Sequence, residues 1–78
     1  MKFHECKIIQ IMPAPFNMQI VYDCDGKDHI RSVVCLALAE NDDGERDIFI
    51  LDVRSDGVID CATAASNFKE IRYNELYI

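Results

Sequence analysis

Apolar and polar residues alternate along much of the chain, and this alternation predicts β-strands. Residues 16–23, "FNMQIVYD", are the clearest case, because every second side chain is apolar and would share one face: Phe16, Met18, Ile20 and Tyr22. Residues 6–12 alternate more loosely, residues 47–54 form another strand pattern, and residues 58–61 could form a short fifth strand. The pattern therefore predicts a mainly β protein.

Residues 29–39, "HIRSVVCLALA", are apolar on both faces rather than on alternate positions. A strand of this kind is either central in a sheet or bent so that both of its faces are covered.

The segments between the strands carry turn signals. Asp25-Gly26, Asp43-Gly44 and Asp56-Gly57 each lie between two apolar runs, and Asp-Gly favours tight hairpins because glycine accepts a positive φ. Pro13-Ala14-Pro15 interrupts the first two runs, and proline ends a strand because it removes a hydrogen-bond donor. We therefore expect "PAP" to be the first connection of an antiparallel meander.

These elements predict one small domain, residues 1–78, folded as a bent antiparallel meander or SH3-like barrel of four to five strands. Asn67 and Glu70 have the spacing of a capping box, which favours a short helical turn near residues 62–69, followed by an extended tail. Residues 70–78 also alternate, so helix and strand both stay open there. Because successive turns of a meander alternate ends, "PAP" and Asp43-Gly44 should share one rim.

Charge and composition narrow the possible partners. The net charge is −6, and residues 40–60 account for all of it, with eight acidic residues against two arginines. An acidic chain repels phosphate backbones, so we expect no nucleic-acid partner, whereas a basic protein partner is compatible.

No apolar run approaches the roughly 20 residues that span a bilayer, and the start "MKFHECK" lacks a signal-peptide core. We expect a cytoplasmic protein with four reduced cysteines and no membrane partner.

No motif of catalysis is present, so we expect no enzyme and no cofactor. The chain has no Gly-rich phosphate loop, nucleophile elbow or zinc-protease helix motif. Cys24 with His29 is the thiol–imidazole pair that a hairpin could bring together, but no third orienting group accompanies it. His4, Cys6, Cys24 and His29 have the ligand types of a zinc site but not the usual spacing, so a metal-binding protein is an alternative only.

Several short stretches resemble small bacterial and phage-type proteins. Their pattern is an apolar run, P-A-P, a strand, an acidic DG turn, another strand and N-F. Here it matches Pro13-Ala14-Pro15, "CLALAE" and Asn67-Phe68, within residues 8–70. This chain departs from the pattern at Cys35, where tryptophan is usual, and in its tail after Phe68. The resemblance implies a small domain of unknown role and carries over no site residues.

The functional hypothesis is a non-enzymatic protein-interaction or accessory module. Its binding rim would combine a rigid aromatic segment with an acidic turn: Pro13, Pro15, Phe16, Asp42 and Asp43. A third possibility is a homo-oligomer, joined through an edge strand or through the apolar tail.

Overall fold

Seven strands form two antiparallel sheets in the computed structural model, which describes residues 1–74. The strands are β1 (Lys7–Met12), β2 (Met18–Cys24), β3 (Lys27–Ser32), β4 (Cys35–Glu40), β5 (Arg46–Val53), β6 (Ile59–Cys61) and β7 (Phe68–Tyr73). Single 3₁₀ turns lie at Phe3–Glu5 and Ala62–Ala64. The four-stranded sheet has the order β1-β4-β5-β6 and the three-stranded sheet the order β3-β2-β7.

The mainly β prediction is confirmed, and hairpins join β2 to β3, β4 to β5 and β5 to β6. Within residues 1–74 the two sheets do not close into the predicted SH3-like barrel. The strand count also exceeds the four to five expected, because the chain passes between the sheets more often than a simple meander does.

The apolar run of residues 29–39 bends rather than continuing as one strand. It divides into β3 and β4 at Val33 and Val34, whose N–H groups donate to different sheets: Val33 to the Met18 carbonyl and Val34 to the Leu51 carbonyl. The bend places one half of the run in each sheet. The apolar half forms β4, an interior strand in which every residue is buried or half-buried, whereas the half in β3 is mostly exposed.

The first connection is not a hairpin. β1 pairs with β4, with Met12 opposite Leu36 and Lys7 opposite Glu40, while the residues after Met12 lead into the other sheet. The prediction that "PAP" joins two neighbouring strands is therefore wrong, although its prolines do end β1.

Near the C-terminus the helical turn is shorter than expected. The turn at Ala62–Ala64 falls within the predicted region, but Asn67 caps no helix, because Phe68 begins β7, which pairs with β2. Strand pairing therefore overrides the capping-box pattern. The extended tail is confirmed for residues 70–73, whereas Phe68 and Lys69, which were expected in the helical turn, are already in β7. Residues 75–78 lie outside the described part of the chain.

The core has two clusters, one on each face of the four-stranded sheet. The first contains Ala37, Ala39, Phe49, Leu51 and Cys61, and Phe3 of the N-terminal turn packs against it. The second contains Ile20, Tyr22 and Ala62, with Ile50 and Ile71 packed against them, and it joins the two sheets. Because burial of a large apolar side chain such as Leu51, Phe49 or Ile20 stabilises a fold by about 1.5–3 kcal/mol, these clusters are its main source of stability.

Candidate functional site

The predicted binding residues are all exposed, but they do not form one rim. Pro13, Pro15 and Phe16 follow the end of β1 that lies opposite Leu36, whereas Asp42 and Asp43 follow the end of β4 that lies opposite Lys7. These ends are separated by the length of the β1–β4 ladder, about 17 Å for five residue steps. The shared-rim prediction is wrong because β1 pairs with β4 instead of β2.

The segment around Phe16 is a fixed turn. The Met18 N–H donates to the Pro15 carbonyl at 3.0 Å, which closes a turn that contains Phe16. The Asn74 N–H donates to the Asn17 carbonyl at 2.9 Å, so the end of β7 holds the other side of this turn. Phe16 is 74% exposed, the highest value among the large hydrophobic side chains of the described residues.

The same end of the three-stranded sheet carries a second exposed aromatic side chain. Tyr73 lies opposite Met18 in the β2–β7 ladder and is 55% exposed. We call Pro13–Phe16 together with Tyr73 the aromatic end. Tyr73 comes to this end of the sheet because β7 pairs with β2, and this pairing is not predicted by the sequence.

The acidic turn, residues 41–45, is organised by one side chain. Asn41 Oδ1 accepts hydrogen bonds from the Asp43 and Glu45 N–H groups at 3.0 and 2.9 Å, and Asn41 Nδ2 donates to Glu45 Oε1. Gly44 has a φ of 81°, in the left-handed region that glycine adopts without strain. Asp42 and Asp43 are therefore held on a defined turn, far from Phe16.

A cleft of about 570 Å³ lies where the β2–β3 hairpin faces the β5–β6 hairpin. Its polar centre is Asp52, a buried residue of β5. Asp52 Oδ2 accepts from the Tyr22 hydroxyl at 2.9 Å and from Arg31 Nε at 2.9 Å. Arg31 Nη2 also donates to the Val53 carbonyl at 3.1 Å. We call Tyr22, Arg31 and Asp52 the polar clip, because it joins β2 and β3 of one sheet to β5 of the other.

The tyrosine of the polar clip has a raised pKa. Burial, together with the hydrogen bond to Asp52 and the charge of Asp52, raises the pKa of Tyr22 to about 12, and only the nearby Arg31 charge opposes this. The phenol therefore stays protonated and donates. Asp52 Oδ1 also accepts from the Val53 N–H at 2.8 Å, so both carboxylate oxygens are already occupied by protein donors. This arrangement suits a structural link better than proton transfer.

The polar clip was not predicted from the sequence. A signal was present, since Asp52 in "IFILDV" and Arg31 in "HIRSVV" are opposite charges within strands that are otherwise apolar. Buried charges are rare unless they are paired, so an acidic and a basic residue in two apolar strands are expected to form an ion pair with each other.

The cysteine and histidine residues are spread over the molecule. Cys24 and His29 both line the cleft, but His4 Nε2 lies 3.1 Å from Asp60 Oδ1, and Cys6 packs on the first core cluster. All four cysteines are free thiols. Among residues 1–74 no three His, Cys, Asp or Glu side chains are placed to hold a metal ion.

We compared the chain with known protein families, curated proteins and solved structures. No protein-family model, no curated protein and no solved structure matches this chain. Within the described residues, no helix has the length and apolar character needed to cross a membrane.

Proposed function

We propose that this chain is a non-enzymatic protein-interaction module that contacts its partner through the aromatic end. The observation that carries the proposal is Phe16, a large aromatic side chain that is 74% exposed on a turn held by two backbone hydrogen bonds. Aromatic side chains dominate the buried centres of protein interfaces, where a few residues supply most of the binding energy.

The rigidity of this turn supports the proposal. Pro13 and Pro15 fix φ on either side of Ala14, and the hydrogen bonds from Met18 and Asn74 fix the residues that follow. Less conformational entropy is then lost when Phe16 enters a partner's apolar pocket, which favours binding.

A basic partner is not part of this proposal. The net charge of −6 is compatible with a basic partner, but Asp42 and Asp43, which were expected beside Phe16, lie at the opposite end of the β1–β4 ladder. The proposal assigns the module to the cytoplasm, which is supported by its four free thiols, since reducing conditions maintain them. The zinc alternative is not carried forward, because the described residues supply no ligand cluster.

The test is a pull-down with matched variants, followed by measurement with the purified partner. Phe16→Ala combined with Tyr73→Ala should weaken binding by about 30-fold or more, the effect of removing one interface hot spot of about 2 kcal/mol. Ile48→Ala is the matched control, because Ile48 is also 55% exposed but lies in the middle of the other sheet.

Two results would contradict the proposal. One is a partner bound equally by the wild-type protein and the double aromatic variant. The other is a partner lost only with Asp42→Lys and Asp43→Lys, which would move the binding surface to the acidic turn.

A further inference from the structure

Within residues 1–74 the two sheets have four edge strands, and three of them carry features that discourage pairing with another chain. β6 has only three residues, Ile59–Cys61. β3 and β7 are interrupted by charged side chains, which are Lys27, Asp28 and Arg31 in β3, and Lys69, Glu70 and Arg72 in β7. Short length and charge are the usual means by which natural proteins block edge-to-edge association.

β1 differs from the other three edges. Its sequence is "KIIQIM", and its one charge, Lys7, is at the first position. Ile8, Ile9 and Ile11 are 45%, 41% and 55% exposed. Within the described part of the chain β1 pairs only with β4, so its other backbone edge faces outward. An exposed apolar edge strand of this kind favours pairing with another strand.

A bulge in β1 places two of these isoleucines on one face. The register shifts between Ile8 and Gln10, so that Ile8 lies opposite Ala39 and Ile11 opposite Ala37. Side chains that lie opposite one another point to the same face of a sheet. Ile8 and Ile11 therefore share the face that carries the first core cluster, to which Ala37 and Ala39 belong.

We propose that β1 is a self-association surface, at which a second copy of this chain pairs antiparallel through its own β1. A two-fold axis between Ile9 and Gln10 places Ile8 opposite Ile11 of the second copy, and Ile11 opposite its Ile8. The four isoleucines then form one apolar patch that continues both first core clusters across the junction. The strand is thus complementary to itself, which is what a two-fold interface requires.

The charge distribution favours the antiparallel direction. The acidic turn follows Glu40, which lies opposite Lys7, so the acids are concentrated at one end of β1. Antiparallel pairing places the two acidic turns at opposite ends of the junction, whereas parallel pairing would place them side by side. For two chains that each carry a net charge of −6, only the antiparallel direction avoids this repulsion.

Native mass spectrometry and analytical ultracentrifugation of the full chain test the proposal, at protein concentrations from about 1 to 100 µM, where weak dimers are detectable. We expect a species of twice the 8.9 kDa chain mass. Ile8→Lys with Ile11→Lys should weaken dimerisation by about 100-fold or more, because each copy loses two apolar contacts and brings two charges to the junction. Ile48→Lys is the matched control, since Ile48 is as exposed as Ile11 but lies on an interior strand, and it should leave the dimer unchanged.

Disulfide cross-linking tests the register of the proposed β1–β1 pairing directly. It also does not require the Ile8→Lys, Ile11→Lys variant to fold. In the proposed pairing, position 8 lies opposite position 11 of the second copy, with Cα atoms about 4.5–5.5 Å apart. A mixture of Ile8→Cys and Ile11→Cys proteins should therefore form a cross-linked heterodimer under mild oxidation. Ile8→Cys alone should not, because two positions 8 would be about 10 Å apart along the strands. The wild-type protein, with its four thiols, is the oxidation control.

Three results would overturn the proposal: a wild-type protein that is monomeric throughout the concentration range, a dimer that survives the double lysine substitution, or Ile8→Cys alone cross-linking as well as the mixture. A dimer lost only when residues 75–78 are removed would assign the contact to the tail instead. Since none of these variants alters Phe16 or Tyr73, the failure of this proposal is distinguishable from failure of the proposed interaction at the aromatic end.

Discussion

The Tyr22 hydroxyl donates a 2.9 Å hydrogen bond to Asp52 Oδ2, and this bond connects the two sheets. Tyr22 is on the central strand of the three-stranded sheet, and Asp52 is on an interior strand of the four-stranded sheet. Arg31 Nε lies 2.9 Å from the same oxygen, so the carboxylate has both a neutral and a charged donor. A buried carboxylate is tolerated when hydrogen bonds and an opposite charge compensate its desolvation.

Removal of Asp52 should destabilise the fold more than removal of Tyr22's hydroxyl. Asp52→Ala leaves both the phenol and the guanidinium without their acceptor and should cost about 2–4 kcal/mol, whereas Tyr22→Phe removes one hydrogen bond and should cost about 1 kcal/mol. Urea unfolding followed by circular dichroism measures both. Asp28→Ala is the control, because Asp28 makes an exposed ion pair with Lys69, and such pairs contribute less than about 1 kcal/mol. Equal losses for Asp28→Ala and Asp52→Ala would show that the polar clip is no stronger than a surface pair.

Stability should fall in alkaline solution because of Tyr22. Its pKa is about 12 in the folded protein and 10.0 in the unfolded chain, so both states are protonated below pH 10 and the stabilisation is fully present there. As the pH rises from 10 to 12, the unfolded state loses its proton first, and up to about 3 kcal/mol of stability is lost. Unfolding free energy measured against pH tests this.

The variant Tyr22→Phe should flatten this alkaline decline, while Tyr73→Phe should not, since Tyr73 is exposed and outside the polar clip. An identical decline in Tyr22→Phe and wild-type protein would assign the effect to other groups. The ultraviolet absorbance of tyrosinate, followed as the pH rises, is a second test. The increase in absorbance that Tyr22 contributes near pH 12 should be missing in Tyr22→Phe.

Local features of this fold could be predicted from sequence because they depend on neighbouring residues. The alternation in "FNMQIVYD" predicted the buried face of β2 correctly for Met18, Ile20 and Tyr22, which are all buried. It was wrong for Phe16, which lies in the turn before β2 and is exposed. The positions of the hairpins followed from the Asp-Gly pairs, because a positive φ is a property of the residue itself.

Partner choice between distant strands could not be predicted in the same way. Nothing within β1 specifies β4 rather than β2, because both offer apolar faces of similar length. The pairing depends on the bend at Val33-Val34, which carries β4 into the other sheet and makes it available to β1. The shared-rim prediction was wrong for this reason, and the polar clip was missed because its three residues are adjacent only after the sheets meet.

The β2–β3 hairpin should be sensitive to substitutions that oppose a positive φ. Asp25 and Gly26 have φ values of 55° and 82°, as a type I′ turn requires. Gly26→Ala should cost about 1 kcal/mol through backbone strain, even though an added Cβ would meet no atom within 4 Å. Asp25→Asn should be tolerated, because asparagine favours this turn position. A neutral Gly26→Ala in urea unfolding would mean that the hairpin relaxes to another turn type.

Thiol reactivity should follow the different burial of the four cysteines. Cys24 is exposed near the tip of the β2–β3 hairpin, whereas Cys61 is buried in the first core cluster and lies 3.1 Å from the Thr63 hydroxyl. A reagent must reach the sulfur, so Cys24 should be alkylated first in native protein and Cys61 only as the fold opens. Mass spectrometry of peptides after timed iodoacetamide labelling measures the order, and labelling in urea is the control in which all four should react at similar rates. Rapid native labelling of Cys61 would show that the edge formed by β6 opens far more readily than its packing against Leu51 and Ala37 implies.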